Sequence, residues 1–215
     1  MPKTTNWKDD YWLPLMQLYL RRPAGLKPMY SRPMVSLAME LHVEPRALFN
    51  KMCALASLGT PRMERIWQDY AASPRRLARA VRLLRQMNGF GSAGGFYDGV
   101  QVNETFERAF RPIKGAPQFM PVTLVLILDL YFRLTPATMT ACTPEVAALA
   151  RLTGVQAADV VMAMAAYRHC DPYLRHAAPD CPALLGPCRE VWQRYGNTDP
   201  RELAALAARL SEYFR

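Results

Sequence analysis

Histidine is scarce in this sequence, with three in 215 residues, and no dense carboxylate cluster compensates. General acid–base chemistry draws first on His and on paired acids. No nucleophile–base pair, carboxylate dyad or cofactor loop can be picked out, so no catalytic residue and no cofactor is assigned. Long apolar runs are missing too. The longest, Phe119–Phe132, has 14 residues and contains Asp129, well short of the about 20 that a bilayer span needs. It reads as a buried helix, and a membrane is not an expected partner. Met1–Leu20 places Asp9 and Asp10 before a short apolar stretch, and no small-residue cleavage site follows, which argues against a signal peptide. The cysteines number five, an odd count without a C-x-x-C pair, and reduced thiols in a cytoplasm are the simpler expectation. Period-two alternation of apolar residues is absent as well, which leaves a helical chain.

What is present is apolar material for a core, 51% of residues, and an excess of base. Lys and Arg number 27 against 18 Asp and Glu, a net charge of +9. That balance favours a polyanionic partner.

The chain also repeats itself. Leu18-Tyr19-Leu20-Arg21 matches Leu130-Tyr131-Phe132-Arg133, and Leu37-Ala38, Val43, Leu48 and Met52 match Leu149-Ala150, Val155, Val160 and Met164 at one constant offset. Trp67-Gln68-Asp69-Tyr70 then matches Trp192-Gln193-Arg194-Tyr195, and Pro74-Arg75-Arg76-Leu77-Ala78 matches Pro200-Arg201-Glu202-Leu203-Ala204. A collinear series of this kind points to tandem duplication. The expected organisation is a helical unit over residues 1–87, a Gly-rich connector over 88–120 with a possible short β element, and a second helical unit over 121–215. The second copy carries an insertion at about 168–186.

In the first copy the pattern predicts helices at Leu13–Arg22, Met34–His42, Arg46–Leu58, Arg62–Ala72 and Pro74–Met87, with Gly59 capping the third and Ser73 the fifth. Pro33, Pro45 and Pro74 stand at or just before helix starts, where the missing N–H costs nothing. The fold class is all-α, about five helices per unit. In both copies a very short turn separates the second and third helices. Ala150 and Gly154 in one, and Ala38 with His42 in the other, supply the small residue and the turn residue; Val155, Val160, Val43 and Leu48 anchor the next helix. These segments resemble helix-turn-helix DNA-binding modules, with His42 where Gly154 stands in the second copy. The resemblance covers about 20 residues of each copy and implies that the third helix is a recognition helix.

The charge sits in one copy. Residues 1–87 hold 15 basic and 6 acidic residues, net +9; residues 88–120 hold 3 and 3, and residues 121–215 hold 9 and 9, both net zero. Within the first copy Arg75, Arg76, Arg79, Arg82 and Arg85 spread over half of one helix, opposite Leu77, Val81 and Leu84. On the recognition helix Arg46 and Asn50 lie one turn apart with Lys51 beside them, residue types that pair with guanine and adenine edges. The second copy has Gln156, Ala158, Val161, Met162 and Ala165 instead, a face suited to packing or to a homodimer. The expected function is therefore a DNA-binding regulatory or accessory protein. Arg75, Arg76, Arg79 and Arg82, with Arg62 and Arg65, meet phosphates of duplex DNA, and Arg46, Asn50 and Lys51 read bases. The alternative is a helical adaptor whose basic patch meets an acidic protein.

Two further features carry less. His169, Cys170, His176, Cys181 and Cys188 crowd the insertion, but their spacing matches no zinc motif, and ordinary loop or core positions are expected. Trp67, Tyr70, Trp192 and Tyr195 recur in both copies and are expected in the core rather than stacked on bases.

Overall fold

The structure, a computed structural model, describes residues 7–91, 106–174 and 181–215. It is all-helical: no strand occurs among the described residues, which show one isolated β-bridge, between Ile113 and Ala116. The chain divides into two compact units, Met1–Asn103 and Glu104–Arg215.

The first unit opens with a 3₁₀ turn, Asp9–Tyr11, followed by α1 (Trp12–Leu20), α2 (Arg32–Leu41), α3 (Pro45–Ala56), α4 (Pro61–Tyr70) and α5 (Pro74–Gln86). The last four carry Pro in their first turn, where its ring fits the helix without breaking a hydrogen bond. Helix α1 is the hub and packs on α2, α3 and α5. Leu15, Met16, Met34, Ala38, Leu48, Met52 and Leu55 fill this core without solvent contact. Helix α4 leans on α5 and buries only Met63. Two expected caps differ. Ser73 makes no side-chain capping bond to α5. Helix α3 ends at Ala56, and Leu58 rather than Gly59 takes the left-handed turn, at φ 49°.

The second unit contains α6 (Phe106–Ala109), α7 (Pro121–Arg133), α8 (Pro144–Thr153), α9 (Ala157–Cys170), α10 (Pro182–Tyr195) and α11 (Pro200–Ser211). Helix α7, the apolar run of the sequence, is buried from Val122 to Tyr131 and packs against α8, α9, α10 and α11. Its one acid, Asp129, bonds at 2.8 Å to Arg133 one turn on, whose side chain is 61% exposed. A charge inside an apolar helix is thus compensated and led to solvent.

Both short turns bend through a left-handed residue: His42 at φ 53°, ψ 39° and Gly154 at φ 75°, ψ 11°. The axes of α8 and α9 turn by 107° across the link. Four matched pairs are buried, each residue in its own unit: Ala38 and Ala150, Val43 and Val155, Leu48 and Val160, Met52 and Met164; of the fifth pair Leu37 is buried and Leu149 half-buried. At Gly154 a Cβ would meet nothing within 4 Å, so Gly154→Ala should cost only the left-handed strain, about 1–2 kcal/mol, measurable as a lowered urea midpoint at unchanged m.

Within residues 88–120 the described chain is turns around the short helix α6. Gly91 adopts φ 69°, and a Cβ there would come to 2.8 Å from the Glu40 carbonyl oxygen of α2; Phe90 stacks edge-on to Tyr11 at 5.8 Å. Phe110, Ile113, Ala116 and Phe119 are buried. Both ends of residues 88–120 are therefore seated, the second in the second unit. Gly94, Gly95 and Gly99, with the rest of residues 92–105, lie outside the described residues. In the insertion, α9 continues to Cys170 and α10 begins at Pro182, carrying Pro187 within it, so the stretch expected as a loop is helical at both ends.

Candidate nucleic-acid interface

Helix α5 is strongly amphipathic by sequence and touches its unit along a narrow stripe. Only Leu77 and Val81 are fully buried. Beyond half-buried Ala80 and Leu84 the rest of the circumference faces solvent, and arginine dominates it. Arg75, Arg79 and Arg82 share the exposed side, and among the described residues no carboxylate lies within ion-pair distance of them. Their neighbours on the flanks are held. Arg85 makes two hydrogen bonds to Glu40 of α2, at 2.6 and 2.9 Å, which hold its proton more tightly than usual. Arg76 lies 5.3 Å from the centre of the Tyr70 ring, a cation–π contact with α4. The five arginines thus divide: one tied to α2, one resting on α4, and three facing solvent between them.

The other expected contacts are spread over two further helices. Arg46 and Asn50 are both exposed, one turn apart on α3. Lys51 is not beside them at the surface. Its ammonium lies 5.3 Å from the Trp7 ring and 5.6 Å from the Trp12 ring, drawn toward the chain segment that precedes α1, so the exposed pair on α3 is Arg46 and Asn50 alone. On α4, Arg62 is bound to Asp9 at 2.7 Å, while Arg65 is exposed with Glu64 and Asp69 on the same helix. The face of α4 is mixed in charge and differs from that of α5. Asp9 in particular was not legible as a partner, because nothing in sequence brings residues 9 and 62 together.

This chain matches no family model, no curated protein and no solved structure. Its chemistry rests on its own geometry.

The second unit treats charge differently. Arg108 pairs with Glu190 at 3.0 Å, Arg111 with Glu107 at 2.9 Å, Arg133 with Asp129 at 2.8 Å and Arg215 with Glu212 at 2.6 Å. The pair Arg108–Glu190, exposed on both sides, contributes little stability, but all four pairs leave less free positive charge. On α9 Val161, Met162 and Ala165 are half-buried, and Gln156 and Ala158 exposed. Trp67, Tyr70, Trp192 and Tyr195 are half-buried rather than fully enclosed. Trp67 meets Tyr19 edge-on at 5.8 Å, and Trp192 lies 5.9 Å from Tyr131 and 5.6 Å from Phe132.

Among the described residues no three His, Cys, Asp or Glu side chains are grouped to hold a metal ion; His176 lies outside them. Cys188 is fully buried beside Tyr167, whose hydroxyl donates to the Leu124 carbonyl at 2.8 Å. Burial pushes the Cys188 thiol up to about 12 from its ordinary 9 and raises Tyr167 as well. An acid raised on folding stabilises the folded state fully below its unfolded pKa and loses that contribution as pH climbs toward the folded value. The second unit should therefore hold its stability to about pH 9 and lose it progressively toward pH 12, as followed by near-ultraviolet circular dichroism. In native protein exposed Cys142 should react quickly with a thiol reagent and Cys188 slowly.

Proposed function

We propose that this chain is a duplex-DNA-binding protein of regulatory or accessory type, built from two duplicated helical units that have diverged in role. The first contacts DNA; the second serves packing or self-association. Support for the duplication comes from the burial of four matched anchor pairs and from the left-handed residue in the same turn of both units. The turn of 107° between α8 and α9 lies in the range common to helix-turn-helix pairs.

The observation that carries the DNA reading is the trio Arg75, Arg79 and Arg82. They are exposed on one helix face with no acid of the described residues within ion-pair distance, although the unit offers Glu40 and Asp9 to other arginines. Like charges held together in this way repel unless a polyanion is bound. In this reading the trio contacts phosphates and sets register, joined by Arg76 when it leaves Tyr70 and by Arg62 and Arg65 at the edge. Arg46 and Asn50 supply base preference.

Fluorescence anisotropy with labelled random duplex DNA at low salt tests the proposal; saturable binding is expected, and its absence would sink it. Arg46→Ala should leave affinity for random duplex nearly unchanged and relax preference at one base position of a selected site by about 1–3 kcal/mol.

A further inference from the structure

Helix α5 and the residue that ends it carry two side chains that phosphate binding does not use. Leu83 is 52% exposed and Met87 60% exposed, one turn apart. At about 100° per residue Leu83 falls between Arg79 and Arg76 around the helix and follows Arg82 directly in sequence. Met87 lies one turn further on the same side. Leu83 therefore borders the solvent-facing Arg79 and Arg82, and Met87 extends its apolar surface away from them. An anionic phosphate gains nothing from apolar carbon, so a helix that only tracked a backbone would have no use for this pair. A duplex offers apolar surface of matching size where a base step opens, and side chains such as Leu and Met enter there from the minor groove, whose narrow stretches also attract arginine most strongly.

Resting on the DNA reading above, we infer that Leu83 and Met87 form a wedge that partly unstacks a base step and bends the duplex, while Arg75, Arg79 and Arg82 hold the flanking phosphates. The unit is then a shape-dependent, architectural binder through α5. Sites with a flexible pyrimidine–purine step opposite the wedge are favoured, because such steps open at the lowest cost.

The test is end-to-end energy transfer on a doubly labelled duplex of about 30 base pairs with a central TA step, using the full chain. Wild type should shorten the end-to-end distance, corresponding to a bend of roughly 20–90°. Leu83→Ala/Met87→Ala, whose side chains are exposed and whose fold is checked by far-ultraviolet circular dichroism, should bind within about tenfold of wild type but leave the duplex straight, since lost contact and saved unstacking offset each other. Binding by wild type with no change in distance, or equal bending by the double variant, would overturn the wedge and leave the DNA reading standing. No duplex binding at all would overturn both. Capture by anionic phospholipid vesicles that depends on Leu83 and Met87, with no bending of DNA, would reassign the pair to a lipid surface and overturn the wedge.

Discussion

Replacing Arg75, Arg79 and Arg82 together by Ala should lower duplex affinity by about two to three orders of magnitude at 0.1 M salt, equally on unrelated sequences. The size follows from counterion release: each phosphate neutralised contributes about 0.9 to the slope of log K against log salt, so three contacts change it by about 2.7. The fold should survive, because none of the three side chains takes part in an ion pair among the described residues and only Leu77 and Val81 of α5 are fully buried. Arg85→Ala is the contrasting control. It removes a positive charge from the same helix but one already committed to Glu40, so its effect on binding should be much smaller.

The second large effect concerns stability. Leu128 is completely buried in α7, the helix on which the other four long helices of its unit pack. Leu128→Ala should destabilise that unit by about 2–5 kcal/mol through lost burial and the cavity left behind. Against a typical total of about 5–15 kcal/mol this is a large fraction, visible as an earlier urea transition. In the proposed division of roles the same variant, at a temperature where it is folded, should bind random duplex with the wild-type salt slope. The cationic helix belongs to the other unit.

Much of the fold was legible because proline and turn residues mark its boundaries. The five helices expected in the first copy fall within about two residues of those observed, and Pro45 and Pro74 stand at the expected starts. The apolar run around α7 was recognisable by its length and its single acid. The insertion was less legible: its Cys and His suited loop and core positions alike, and α10 begins inside it and accommodates Pro187 in its interior. Local chemistry was outweighed there by packing that only the folded unit supplies.

For the candidate interface, the placement of the cations was legible and their partners were not. Spacing alone put Arg75, Arg79 and Arg82 on one face of α5, and Arg46 with Asn50 on one face of α3. It could not show which cations are already engaged. Glu40 with Arg85, Asp9 with Arg62, and the two indoles with Lys51 are contacts between segments far apart in sequence. No periodicity encodes them. They single out Arg75, Arg79 and Arg82 as the leading contacts, which is a sharper claim than net charge could make.

The most direct measurement is the salt dependence of wild-type binding to two unrelated duplexes. A linear fall of log K with log salt is predicted, of at least about 2.7 per decade and alike on both. Binding that is insensitive to salt, or confined to one of the two sequences, would contradict a phosphate-directed arginine face on α5.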